Sequence, residues 1–210
     1  MNESYLTIKE TASSEITIQK SRFIGYALPC ESEEDAQLFI RNTREKYRDA
    51  KHHCYAYIIG VNSGIMRYSD DGEPGGTAGM PMMDVLKNSG IVNCCVVVVR
   101  YFGGILLGTG GLVRAYTQAC KAAVEAASVV RMELSVVMEC MVAYPFWNQI
   151  QFSLQNMPVS IDHVSYTDSV HFNLCARSRD LAAAVAVIDN LTGGKAVWSE
   201  PEEKYMPWNA

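Results

Sequence analysis

Residues 69–81 read Ser-Asp-Asp-Gly-Glu-Pro-Gly-Gly-Thr-Ala-Gly-Met-Pro, and residues 100–111 read Arg-Tyr-Phe-Gly-Gly-Ile-Leu-Leu-Gly-Thr-Gly-Gly. Nine of the 15 glycines lie in these two stretches, which we call the first and the second glycine loop. Glycine loses more conformational entropy on folding than other residues, so such clusters indicate positive φ angles or a close approach of backbone or ligand. Each loop follows a strand-like run and enters a helix-like one, a junction where backbone N–H groups point outward. We therefore expect the loops to lie side by side and form the working surface.

The composition limits the partners that the whole chain can attract. With 210 residues and 49% hydrophobic content, the chain is long enough for one or two cores. Its net charge of −5 gives no general attraction to nucleic acid or to anionic membranes. Residues 1–130 carry 13 basic and 14 acidic side chains, whereas residues 131–210 carry five and nine. A polyanionic partner should therefore prefer the first part.

The cysteines indicate a reducing compartment. The seven cysteines are irregularly spaced and odd in number, which favours reduced, packed thiols over a disulfide framework. The amino terminus lacks the basic and apolar regions of a signal peptide, and the longest wholly apolar run, residues 94–99, is too short to span a bilayer. We expect a cytoplasmic protein without a membrane partner.

Hydrophobic periodicity predicts an α+β protein with two domains, residues 1–130 and 131–210. The second domain has the order βαββαβ, which is typical of a ferredoxin-like fold. In the first domain, strands are predicted at 16–18, 23–27, 52–59, 65–69 and 92–99, and helices at 32–48, 81–89 and 112–127. In the second, strands are predicted at 134–142, 159–166, 170–176 and 195–200, and helices at 145–157 and 178–192.

Neither glycine loop is a nucleotide-binding fingerprint. Gly103 to Thr109 has the glycine spacing of a P-loop, but Leu107 and Gly108 leave no lysine for the phosphates. The second loop also lacks the third glycine of a dinucleotide-binding turn. An ATPase or a dehydrogenase is not expected.

The acids of the first loop have two interpretations. Asp70, Asp71 and Glu73 could hold Mg²⁺, which takes one or two carboxylates and several waters. Alternatively, they are turn residues whose carboxylates accept backbone N–H bonds from the loop itself. We favour the second interpretation, and we predict no bound metal and no cofactor.

The residue types of His52, His53 and Cys54 suggest a metal site or a thiol nucleophile, but their arrangement does not support either. Adjacent residues of a strand face opposite sides, so the two histidines cannot easily share one ion. No spacing assembles a Cys–His pair with an orienting third group. We therefore predict structural histidines, one of them lining the loop surface beside Asp70, and no catalytic residue.

Three arginines flank the glycine loops. Arg67, Arg100 and Arg114 could grip phosphate, helped by backbone N–H groups of the second loop at Gly103, Gly104, Gly108 and Gly110. They could equally form a network with the acids of the first loop that simply fixes the loops. Both interpretations stay open. Residues 41–51, with five basic and two acidic side chains, are read as a solvated helix end in preference to a phosphate-binding patch.

Six runs of residues carry a resemblance to a known family. They are His52-His53-Cys54-Tyr55-Ala56-Tyr57, Ser69-Asp70-Asp71-Gly72-Glu73-Pro74, Gly76-Thr77-Ala78-Gly79, Arg100-Tyr101-Phe102-Gly103-Gly104, Leu107-Gly108 and Gly111-Leu112-Val113-Arg114-Ala115-Tyr116. On these runs the chain resembles the IMPACT/YigZ family over residues 1–130, and its second part resembles the ferredoxin-like domain that bacterial YigZ-type members carry. Gly75 and Leu107 depart from the family pattern, which has a polar or basic residue at these positions in many members.

That resemblance implies a first domain like domain IV of elongation factor G, with a ribosomal-protein-like βαβ fold, and a second like its domain V. It also implies contact with RNA or the ribosome and a role in regulating translation.

These observations lead to one functional prediction with two alternatives. We predict a non-enzymatic, translation-linked regulator that binds structured RNA or the ribosome through the glycine loops. The first alternative is a protein-docking module that uses the same loops, and the second is a metal-assisted hydrolase. The predicted binding residues are Arg67, Asp70, Asp71, Glu73, Arg100, Gly103, Gly104, Gly108, Gly110, Arg114, His52 and His53.

Overall fold

The computed structural model describes residues 4–208, which divide into two compact units, residues 4–131 and 132–208. Each unit contains an antiparallel sheet with helices packed against it. The α+β class predicted from the sequence is confirmed. No helix within residues 4–208 combines the length and apolar character needed to cross a membrane.

The first unit is built on a five-stranded sheet with the order β2-β3-β6-β4-β5. A further strand, β1, lies outside this sheet and bridges from Leu6 to Ile91. The elements are β1 (Ser4–Ile8), β2 (Ala12–Ile18), β3 (Ser21–Pro29), α1 (Glu33–Lys46), β4 (His52–Ile59), β5 (Ile65–Ser69), α2 (Gly79–Asn88), β6 (Cys94–Tyr101) and α3 (Gly108–Ala126).

The central strand β6 is covered on both faces, as its apolar sequence predicts. Val96 and Val98 face a core formed with α2 and α3. Val97 and Val99 face a second core beneath α1. Because β5 and β6 are both antiparallel to β4, the two glycine loops that follow them begin at the same end of the sheet, where Arg100 lies opposite His52.

Local sequence explains where α1 begins. The hydroxyl of Ser32 accepts a hydrogen bond from the Asp35 N–H at 3.1 Å, which satisfies one of the free donors of the first turn. Acids occupy the first turn, and Arg44 and Lys46 the last, so the side-chain charges complement the helix dipole.

Several element boundaries differ from the sequence prediction, and two strands were not predicted. The helix α3 begins at Gly108, four residues before the predicted start, because burial of its later turns stabilises the glycine-rich first turn despite low intrinsic propensity. β1 was not predicted, and the strand at residues 202–208 was missed because its charges and Pro207 obscure the alternation.

The second unit has the order βαββαβ, followed by one more strand. β7 continues into it from the first unit and pairs with β9, which pairs with β8; β10 and β11 also pair with β7. Its core includes Trp147, whose ring lies 4.9 Å from that of Phe172. The elements are β7 (Val129–Val142), α4 (Tyr144–Leu154), β8 (Val159–Tyr166), β9 (Val170–Arg177), α5 (Ser178–Thr192), β10 (Val197–Trp198) and β11 (Glu202–Trp208).

Candidate binding site at the two glycine loops

The first glycine loop closes around Asp70. Its carboxylate accepts three backbone N–H bonds, from Gly76, Ala78 and Gly79, each at 2.9 Å. Partial burial raises the pKa of Asp70, but these three donors outweigh it and hold the pKa below its usual value. The carboxylate thus stabilises the turn that starts α2, as the structural interpretation of these acids predicts.

Asp71 ties the first loop to β4 and α1. One carboxylate oxygen accepts from Arg44 Nη2 and the other from the His53 N–H, both at 2.6 Å. The Asp71 carbonyl lies 2.9 Å from His52 Nδ1, so the ring of His52 is held as well. His53 Nε2 lies 3.0 Å from the Tyr47 carbonyl oxygen on the α1 side.

Glu73 joins the bases of the two loops. Its side chain is 3% exposed and accepts from Arg100 Nη1 at 2.7 and 3.0 Å and from the Tyr116 hydroxyl at 2.7 Å. Tyr116 is fully buried, and burial, with the nearby thiol and carboxylate, raises the pKa of its hydroxyl. Glu73, Arg100 and Tyr116 thus form one buried polar cluster, which we call the Glu73 cluster. It holds the first loop, the end of β6 and α3 together.

Arg100 is part of this cluster and not of the outer surface. Only 7% of its side chain is exposed, and its guanidinium lies 5.5 Å from the ring centre of Phe23 and 5.7 Å from that of Phe102. Its Nε is buried without a hydrogen-bond partner among residues 4–208. Direct contact between Arg100 and an external phosphate, one of the two interpretations from sequence, does not fit this placement.

The second loop, in contrast, exposes large apolar side chains. A Cβ on Gly103 would lie 2.0 Å from the carbonyl carbon of Lys20, so only glycine allows this close packing. Beyond this anchor, Phe102 is 55%, Ile105 42% and Leu106 85% exposed. We call these three side chains the apolar tip.

The start of α3 completes the second loop. Gly104 and Gly108 have φ angles of +84° and +68°, and no side chain caps the helix at Leu107. Gly110 is exposed with open space around its Cα, so the first N–H groups of α3 face solvent. Arg114 lies outward on α3 and lines a groove of about 480 Å³ with Lys121 and Glu125.

The three predicted arginines do not form one surface. Arg67 pairs across the sheet with Tyr57 and therefore shares the α1 face, where its guanidinium lies 3.8 Å from Glu33. Arg100 is buried on the other face, and only Arg114 lies outward on α3. The expectation that they act together was wrong because strand alternation sends Arg67 and Arg100 to opposite faces.

The chemistry of the first loop is that of a structural network. Each oxygen of Asp70, Asp71 and Glu73 accepts at least one hydrogen bond. Cys54 donates its S–H to the Asp70 carbonyl at 3.0 Å, and burial raises its thiol pKa. Within residues 4–208, no three His, Cys, Asp or Glu side chains are grouped so that they could hold a metal ion. All seven cysteines are free and buried.

Sequence reasoning missed Tyr116 and the apolar tip as site residues. A tyrosine on the buried face of a helix needs a partner for its hydroxyl, and a carboxylate in a nearby loop is an obvious candidate. The pair Ile105-Leu106 between glycines was also a usable signal, since large apolar residues in a loop have no core to enter.

Comparison with known proteins connects this site to a family. The family model described as "Impact N-terminal domain" matches residues 19–124, which include both loops. "IMPACT family member YvyE" of Bacillus subtilis (strain 168) is 37% identical over 206 residues, covering 98% of this chain and 95% of that protein. "IMPACT family member YigZ" of Escherichia coli (strain K12) is 50% identical over 101 residues, which are 47% of this chain and 50% of that protein. A solved structure described as "Crystal structure of an hypothetical protein" matches with a TM-score of 0.61 and 32% identity, over 97% of this chain and 100% of that one.

Proposed function

The chain belongs to the IMPACT family, and on that premise we propose that it is a non-enzymatic, translation-linked regulator that binds a partner at the second glycine loop. The proposal includes a cytoplasmic location, a first unit like domain IV of elongation factor G and a ferredoxin-like second unit. The observed order βαββαβ supports the last of these assignments. The link to translation is a family-level inference.

The exposed apolar tip carries the main proposal, which is a protein partner. Phe102, Ile105 and Leu106 lie within five residues and are all exposed, while Gly103 anchors the loop against β3. An anchored loop loses little conformational entropy on binding, and contiguous exposed apolar side chains mark protein-interaction sites. The bound partner would cover these side chains.

Affinity capture with matched variants tests this proposal. Leu106→Ser should reduce recovery of a nuclease-resistant protein partner at least about tenfold, the effect expected of an interface centre. Leu38→Ser is the control, because Leu38 is also exposed but lies on α1. Equal recovery with both variants, or a partner that disappears entirely with nuclease, would refute a protein partner at the tip.

Structured RNA or the ribosome is the second candidate, favoured by the start of α3. The free N–H groups at Gly108 to Gly110 and the outward guanidinium of Arg114 can both meet phosphate. Ribosome co-sedimentation at low salt, where phosphate contacts are strongest, should then weaken with Arg114→Ala and not with Lys87→Ala. Absence of co-sedimentation at low salt would remove this candidate.

The proposal that the protein is not an enzyme rests on the first loop. Every carboxylate oxygen there is already hydrogen-bonded, and burial raises the pKa of the nearby thiol of Cys54. A metal-assisted hydrolase would need Asp70 or Glu73 free to bind an ion. Hydrolysis that appears on adding Mg²⁺ or Zn²⁺ and vanishes with Asp70→Asn would overturn this part of the proposal.

A further inference from the structure

The sheet face beneath α1 carries aromatic and basic side chains side by side. Tyr26 on β3 and Tyr47 after α1 hydrogen-bond through their hydroxyls, and Lys46 Nζ lies over both rings, 4.8 and 5.3 Å from their centres. Next to them, the Arg22 guanidinium lies 5.6 Å from the ring centre of Tyr101. Three cation–π contacts thus adjoin on one surface, which we call the aromatic–basic face.

This face is open toward one edge of the sheet. α1 packs mainly over β4 and β6, and the β2 side chains on this face stay exposed. Ser13, Glu15 and Thr17 of β2 are exposed there, and the acid among them is neutralised by Arg22 at 2.6 Å. A ligand can therefore lie against the tyrosine rings from the β2 side.

The end of α1, which contributes Lys46 and Tyr47 to this face, is rich in positive charge. Arg41, Arg48 and Lys51 are exposed and make no ion pair or side-chain hydrogen bond with any of residues 4–208. Lys46 is exposed as well. The basic run read from sequence as a solvated helix end therefore contains Tyr47 and contacts Tyr26 and Tyr101, which are distant from it in sequence.

We propose that the aromatic–basic face binds single-stranded nucleic acid. Free guanidinium and ammonium groups would hold phosphates, and tyrosine rings would stack on unpaired bases, a combination that binds single strands with little sequence preference. The charge favours a polyanion, and the rings favour one with flat, unpaired bases over a duplex or an acidic peptide. This site goes beyond the proposed function, since it lies on the sheet face opposite α3.

Fluorescence anisotropy with the full chain tests the phosphate contacts. The probes are oligouridylate and oligothymidylate of about 12 nucleotides, within the range that one such surface covers. Replacing Lys46, Arg48 and Lys51 by Gln should lower the slope of log affinity against log salt by about two, three contacts at roughly 0.7 each. The control replaces Lys9, Lys87 and Lys195 by Gln, an equal charge change on exposed side chains that belong neither to this face nor to the second glycine loop.

A second pair of variants tests base stacking. Tyr101→Leu removes the ring and should weaken binding roughly tenfold, whereas Tyr101→Phe keeps the ring, loses only the hydroxyl bond to Asp49 and should bind like the wild type. Equal affinities for the RNA and the DNA probe support the proposal, and so does a higher affinity for the RNA probe. The proposal would be overturned if no saturable binding is seen at low salt, or if the two Gln triples lose equal affinity. It would also be overturned if the Leu and Phe variants bind with equal affinity, or if duplex RNA or polyglutamate binds more tightly than the single-stranded probes.

Discussion

The two glycine loops share a composition and differ in what they show to solvent. The first loop directs Asp70, Asp71 and Glu73 into hydrogen bonds with its own backbone, with β4 and with α3. The second loop fixes its base at Gly103 and exposes its apolar tip and the first turn of α3. Glycine richness alone therefore does not identify a ligand site. The side chains between the glycines decide whether a loop supports the fold or faces a partner.

The Glu73 cluster explains how one loop can support the other. Glu73 belongs to the first loop, Arg100 opens the second, and Tyr116 lies two turns inside α3. Because all three are buried, they form a cross-link between the two loops in low-dielectric surroundings. The first loop can thus keep its geometry without touching any partner, and variants that break this link should have the largest effects on stability.

The largest loss of stability is expected for Glu73→Ala, which breaks the link between the two loops. Removing one partner leaves the Arg100 guanidinium buried without a counter-charge, which costs about 3–5 kcal/mol. Urea unfolding of the full chain measures this loss. In the double variant Glu73→Leu/Arg100→Met no buried charge remains, so it should be clearly more stable than Glu73→Ala; equal instability would contradict the assigned role of the pair.

The next largest changes in stability are expected from alanine substitutions at two glycines of the second loop. Gly103→Ala places a Cβ 2.0 Å from the Lys20 carbonyl carbon and should cost about 3 kcal/mol as the backbone shifts. Gly110→Ala meets open space inside α3 and should stabilise by about 0.5–1 kcal/mol. Thermal melting of the two variants measures both changes in stability. A tolerated Gly103→Ala would show that the loop is not anchored there.

A smaller, pH-dependent effect is expected at Asp70. Asp70→Asn weakens bonds to three backbone N–H groups and should cost about 1–2 kcal/mol at neutral pH. Since the folded-state pKa is lowered, the carboxylate stabilises the fold fully above its usual pKa, and this contribution is lost as the pH falls through the folded-state value. Denaturant midpoints of the two proteins should therefore converge only in acid. A difference independent of pH would contradict the role assigned to the carboxylate.

Much of the fold was predictable because its signals are local. The apolar run of β6, the cap at Ser32 and the alternation in β7 each specify an element directly. The opposite orientations of His52 and His53 also follow from strand geometry, since His53 lies opposite Val99 of the core beneath α1 and His52 lies opposite Arg100 of the other face.

The binding site was harder to predict because burial depends on tertiary contacts. Arg100 looks like any arginine before a loop, and only the packing of Phe23 and Tyr116 around it encloses the charge. The outward position of Leu106 likewise depends on where α3 begins, which periodicity placed four residues too late. Sequence indicated which loops matter but not which of them faces outward.

Site-specific photo-crosslinking tests the central claim most directly. A photoreactive residue at position 106, in the second loop, or at position 75, exposed in the first loop with open space around it, probes the two surfaces in otherwise identical chains. We predict crosslinks to one partner from position 106 and none from position 75. Crosslinks to that partner from position 75 with none from position 106 would contradict the assignment of the second loop as the binding surface.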